Sequence, residues 1–153
     1  MALKLPSSTD TFKVIARIDT AVTCSQDDYN SYLDTLDESL LKLEAEPTRF
    51  ILRKVLPYRA AQGVQNQQFR YAGGEVHLQP AFMLEEVRCS IVGVENPQTV
   101  APEDRLNWEA HSDSYTSFDL MAKLQGAGVV MDLYRARQSA VGPKESAETL
   151  KKR

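Results

Sequence analysis

Cysteine, histidine and tryptophan are scarce in this chain, at two, two and one among 153 residues, and each scarcity removes a class of function. Cys24 and Cys89 have no second cysteine or histidine at ligand spacing beside them. This argues against a zinc module or a paired-cysteine redox motif. The opening MALKLPSSTD has no apolar core of a secretory signal, so free thiols in a reducing compartment are expected rather than a disulfide. His77 and His111 each stand alone and are expected at the surface or core edge. Ala72-Gly73-Gly74 is too short for a phosphate loop and lacks the following lysine. No stretch approaches the ~18 apolar residues of a spanning helix. The sequence therefore predicts no enzyme, no metal or cofactor and no membrane attachment, in a soluble intracellular protein.

What is present is ordinary globular material, 42% hydrophobic and 25% charged, long enough for one core. The net charge of −3 is unevenly spread: Met1 to Glu46 carries four basic and nine acidic residues, Pro47 to Pro97 six basic and four acidic. An acidic first third beside a basic middle suits self-association or a protein partner. A nucleic-acid binder would show one strong basic face.

The apolar pattern changes period along the chain. In Thr11 to Ile18, Phe12, Val14, Ala16 and Ile18 alternate with Lys13, Ile15 and Arg17, which predicts a strand with one buried face. Tyr29, Tyr32, Leu33, Leu36, Leu40 and Leu43 then fall on one helical stripe. That helix, from Ser25 to Ala45, is capped by Ser25, has a potential break near Asp37 to Ser39, and is stopped by Pro47. Arg49 to Leu56 follows as a strand, central because both faces are partly apolar. A helix is expected from Tyr58 to Phe69, a turn at Ala72-Gly73-Gly74, and a helix after Pro80 with Ala81, Leu84, Val87, Ile91 and Val94 as its core stripe, closed by Gly93 and Asn96-Pro97. Gln98 to Ser114 reads as a long polar loop. Two closing helices, one bearing Phe118, Leu120, Met121 and Leu124 and one over Val129 to Ala140, are separated at Gly126 and Gly128. The predicted class is α+β: a small antiparallel sheet with strands near 11–18 and 49–56, packed with about four to five helices and predominantly helical in its C-terminal half. One domain over 11–140 is flanked by an irregular arm at 1–10 and a polar tail at 141–153.

Candidate working residues are aromatic or basic. Trp108, Tyr115 and Phe118 lie in or beside the polar loop; they form either a partner-binding surface or a satellite cluster folded onto the core. Arg49, Arg53 and Lys54, with Arg59, make one basic patch, expected to pair with the preceding acidic helix or with a partner. The acidic residues from Asp27 to Glu46 are expected as a solvated helix face, and Cys89 as a small buried hydrophobe.

Three stretches in order, DTLDESLLKLEAEPTRFILRKVL, EEVRCSIVGVEN and SFDLMAKLQGAGVVMDLYRARQ, carry a resemblance across residues 30 to 140. With Pro47, Thr48, Phe50, Leu52 and Arg53 in the first, and Val87, Arg88, Ile91, Gly93, Glu95 and Asn96 in the second, the chain resembles small bacteriophage proteins of the tail-assembly-chaperone type. It departs from their pattern in the length of the insertion around Trp108. The resemblance implies a non-enzymatic protein of the host cytoplasm that binds the tape-measure protein while the tail tube forms, and that is a possible homo-oligomer. It equally admits a structural virion subunit (connector, tail or baseplate component) laced to neighbouring subunits through its terminal arms. A host-directed regulator is a third reading.

Overall fold

The computed structural model describes residues 10–72, 75–78, 81–97, 116 and 118–141. Three strands, β1 (Thr11–Val14), β2 (Arg49–Arg53) and β5 (Ile91–Glu95), form an antiparallel sheet in the order β1-β2-β5. A second pair, β3 (Phe69–Ala72) and β4 (Glu75–Leu78), forms a separate hairpin. Five α-helices accompany them: α1 (Gln26–Thr35), α2 (Tyr58–Gln68), α3 (Ala81–Ser90), α4 (Phe118–Gly126) and α5 (Val129–Val141). The architecture is α+β with a helical C-terminal half, as the apolar pattern predicts. Among the described residues no helix is long and apolar enough to cross a membrane.

β2 is the central strand, as expected, but it stops at Arg53 rather than Leu56. It pairs Phe50 with Val14 on one side and with Val94 on the other. Phe50 and Leu52 are buried and join a core that includes Val14, Tyr29, Tyr32, Leu33, Val87, Ile91, Leu120, Leu124 and Leu133. A bulge between Ile51 and Leu52 shifts the β2–β5 register, re-aiming the end of the strand.

β1 ends at Val14, four residues before the expected Ile18, and the helix stripe explains why. The Ile15 amide donates to the Tyr32 hydroxyl at 3.0 Å, and the Ile15 carbonyl accepts from the Tyr29 hydroxyl at 2.8 Å. The Arg17 amide donates to the Asp132 carboxylate at 3.1 Å. Side chains thus take the backbone groups that a continuing strand would pair, and buried backbone groups must be paired somewhere. Val14, Ile15 and Ala16 are all buried while Ile18 is 59% exposed, so the period of two holds only as far as Val14.

The expected helix from Ser25 to Ala45 is two pieces. Ser25 caps α1 as predicted, accepting from the Asp28 amide at 3.2 Å. Leu36 then turns left-handed at φ 57°, and a short 3₁₀ turn (Glu38–Leu41) follows. Asp37 starts that turn by accepting from the Ser39 amide and hydroxyl, a local bond that competes with helical pairing. The break shifts the phase: Leu41 is fully buried, whereas Leu40 and Leu43 only pack against the core edge.

A second correction concerns α3. The helix expected to reach Val94 gives way to β5 at Ile91. The Ser90 hydroxyl bonds back to the Glu86 carbonyl at 2.5 Å, and β-branched Ile91, Val92 and Val94 favour the strand. Asn96, at φ 52°, ends it, donating to the Glu46 carbonyl at 2.9 Å and accepting at its own carbonyl from Thr48. Gly73 and Gly74 of the expected turn lie outside the described residues; Ala72 ends β3 and Glu75 begins β4, two strands that the apolar pattern does not predict. Gly128, at φ 77°, separates α4 from α5 where the break was predicted.

Candidate functional site

β2 hands the chain to Leu56 and Pro57, and α2 begins at Tyr58, packing on α3, which in turn meets α5. The three helices do not close completely. Leu56, Ala61 and Val64 on one side, Phe82 on α3 and Tyr134 on α5 wall a groove of about 300 Å³, with Gln65, Glu86 and Gln138 as its polar lining. Phe82 and Tyr134 meet edge-on, ring centres 6.0 Å apart at 79°, a favoured aromatic geometry.

Behind the groove stands a buried arginine. Arg137 is 5% exposed. Its Nη1 donates to the Arg53 carbonyl and its Nη2 to the Lys54 carbonyl at 3.3 Å, gripping β2 where it leaves the sheet. Its Nε lies 3.9 Å from Glu86 Oε1, and Gln138 Nε2 donates to Glu86 Oε2 at 3.2 Å. Burial holds the Arg137 guanidinium below its usual pKa, against the opposing pull of Glu86. Burial likewise raises the Glu86 carboxyl above the usual range, with Arg137 and Gln138 opposing. The pair therefore anchors α5 to both α3 and β2, and its carboxylate already has partners.

Of the six residues marked out by the sequence, the three whose side chains are described, Arg49, Arg53 and Lys54, do not form one cluster. Trp108 and Tyr115 lie outside the described residues. Phe118 begins α4, but its side chain also lies outside them. Arg49 sits at the start of β2 and forks onto Glu38, with Nη2 to Oε1 at 2.8 Å, and reaches Glu46 at 3.3 Å. Those bonds raise its pKa and realise the internal pairing with the acidic segment that the sequence predicts. Arg53 and Lys54 lie at the opposite end of β2, about 13 Å along an extended strand, next to the groove through their carbonyl bonds to Arg137. Sequence reading missed Phe82, Glu86, Tyr134 and Arg137 as a group. No local signal unites them, because thirty-eight residues lie between α3 and α5.

The remaining reactive groups are quiet. Cys24 and Cys89 are free and buried. Burial, then the neighbouring Glu85, pushes the Cys89 thiol up to about 11, so it is protonated at neutral pH, the opposite of an activated nucleophile. Glu85 is held by Arg88 at 2.6 Å, which lowers its carboxyl pKa. Among the described residues no group of three or more His, Cys, Asp or Glu side chains is placed to hold a metal ion. What the groove offers chemically is a mixed lining, Leu56, Ala61, Val64, Phe82 and Tyr134 beside Gln65, Glu86 and Gln138, which can give a side chain both apolar and hydrogen-bonding contacts. Comparison of the chain with protein families, curated proteins and solved structures found no match.

Proposed function

We infer that this chain is a non-enzymatic bacteriophage assembly protein of the tail-assembly-chaperone kind. Its groove between α2, α3 and α5 receives an apolar stretch of a helical client, the tape-measure protein. The observation that carries this reading is an open, aromatic-walled slot whose one carboxylate is already occupied from within. A groove of this kind recognises an amphipathic helix by its apolar anchors. The client's identity rests on the resemblance carried across residues 30 to 140.

The test is co-expression with the tape-measure protein of the source phage, followed by affinity capture and by mass spectrometry of purified particles. Capture of the client by the wild-type chain, its loss in Ala61→Phe, which fills the groove, and absence of the chain from mature particles are expected. Recovery of the chain at stoichiometric copy number in particles would replace the chaperone reading with that of a structural subunit.

A further inference from the structure

The buried guanidinium behind the groove reaches further than the two helices it joins. Arg137 Nη1 donates to the Arg53 carbonyl and Nη2 to the Lys54 carbonyl. The Arg53 carbonyl and the Lys54 amide belong to one peptide group, and that amide donates to the Asp10 carbonyl at 2.9 Å. Asp10 immediately precedes β1, whose first residue, Thr11, pairs with Arg53. One peptide plane therefore meets the cation at its oxygen and the entry to β1 at its nitrogen. A peptide polarised at its carbonyl becomes a better donor at its N–H, and linked hydrogen bonds strengthen one another by roughly 10–30% each.

On its other side the guanidinium relies on residues that line the groove. Glu86 Oε1 lies 3.9 Å from Arg137 Nε, and Gln138 Nε2 donates to Glu86 Oε2 at 3.2 Å. Glu86 and Gln138 are both groove residues. The Glu86 charge favours the cation, while burial and the neighbouring positive charge of Arg53 oppose it. A buried cation that loses its counter-charge keeps its desolvation cost with less to offset it. The bond most exposed to that loss is the one from Lys54 to Asp10. It lies one residue beyond the last β1–β2 pair, and such end positions open without unfolding the rest of a domain.

We propose that Arg137 couples the groove to the entry of β1, so that disturbing Glu86 or Gln138 loosens the Arg53–Lys54 peptide and its hold on Asp10. The coupling runs both ways, and it does not depend on what fills the groove.

The test is amide hydrogen exchange, followed residue by residue by NMR, on the full chain and on Glu86→Gln and Arg137→Lys. Glu86→Gln removes the charge and keeps the shape; Arg137→Lys keeps the charge and removes the fork. In both variants the Lys54 amide is expected to exchange at least about fivefold faster, the lower end of typical coupling between sites. The Ile15 and Arg17 amides, held by Tyr32 and Asp132, are expected to keep their wild-type rates. Faster exchange at Lys54 in Arg137→Lys alone would sever the link to the groove and overturn the proposal. Equal acceleration at Lys54, Ile15 and Arg17 would show a general loss of stability and overturn it too. So would a Lys54 amide that is already unprotected in the wild type, since there would be no hold to couple. None of these outcomes involves capture of a client, so failure here leaves the groove's proposed function standing.

Discussion

α5 is fastened at two places, and the difference between them separates the part of this molecule that is closed from the part that is open. Near its start, Asp132 accepts from the Arg17 amide and lies beside the Tyr29 hydroxyl, while Tyr29 and Tyr32 hold Ile15 by both its backbone groups. Arg17 also stacks over the Tyr29 ring at 5.9 Å. Tyr29, Tyr32, Ile15 and Leu33 are all at most 1% exposed there. Near its end, Arg137 grips β2 and Glu86, but the side chains around it leave a groove of about 300 Å³. Both ends use polar side chains to fix a helix against backbone that has just left a strand. Among the described residues a groove opens at the end of α5, and that is where the proposed binding surface lies.

The sharpest way to break this comparison is Arg137→Ala. It would leave two backbone carbonyls and Glu86 without their buried cation, and removing one partner from such a network costs about 3–5 kcal/mol. Chemical denaturation is expected to show a loss of this size. A loss below about 1 kcal/mol would mean that the guanidinium is not what holds α5 to β2. Tyr29→Phe tests the closed end. It removes the donor to the Ile15 carbonyl while keeping the ring, for an expected cost of about 1–3 kcal/mol. Capture of the client through the groove should not change. Loss of binding in Tyr29→Phe with unchanged stability would show that the two ends of α5 are not independent.

These two ends were not equally legible in the amino-acid pattern. Tyr29, Tyr32 and Leu33 fall on one helical stripe, so their burial could be read directly, although the role of the two hydroxyls in ending β1 could not. It depends on Ile15, at least fourteen residues earlier in the chain. The positions Leu84, Val87, Ile91 and Val94 fit a helical stripe as well as they fit a helix followed by a strand. Pairing with β2, forty residues away in sequence, decides for β5 at Ile91. β2 itself was readable as central because Phe50 and Leu52 alternate with the partly apolar Ile51 immediately after Pro47. The groove was not, since Leu56, Val64, Phe82 and Tyr134 come from separate segments and each looks like an ordinary core residue alone.

A smaller effect distinguishes the two ends by pH. Burial raises the Asp132 carboxyl above the usual aspartate range, with the Arg17 amide and Tyr29 hydroxyl opposing. Because its folded pKa lies above its unfolded value, this group favours the fold when protonated. That contribution is fully present below the unfolded value and is lost as pH rises through the folded one. Asp132→Asn removes the titration and keeps an oxygen that can accept from Arg17. Thermal melts across the acid range should therefore show the variant gaining on the wild type as pH increases. A constant difference would mean that Asp132 titrates as an exposed aspartate. Glu86 has the same sign of shift, so the comparison is cleanest when Glu86→Gln is present in both proteins.

The smallest expected change in stability belongs to Tyr58→Ala, and it separates function from fold most cleanly. Tyr58 is 75% exposed at the start of α2, and substitutions at such surface positions usually alter stability by no more than about 0.5 kcal/mol. If it forms the outer wall of the groove, the variant should melt like the wild type and yet capture the client several times more weakly. Tyr134→Ala makes the informative contrast. Its ring packs on Phe82 within the groove, so removing it should lower both stability and binding. Should Tyr58→Ala bind as well as the wild type while Tyr134→Ala loses affinity, the site ends at the groove itself and the client makes no use of the rim.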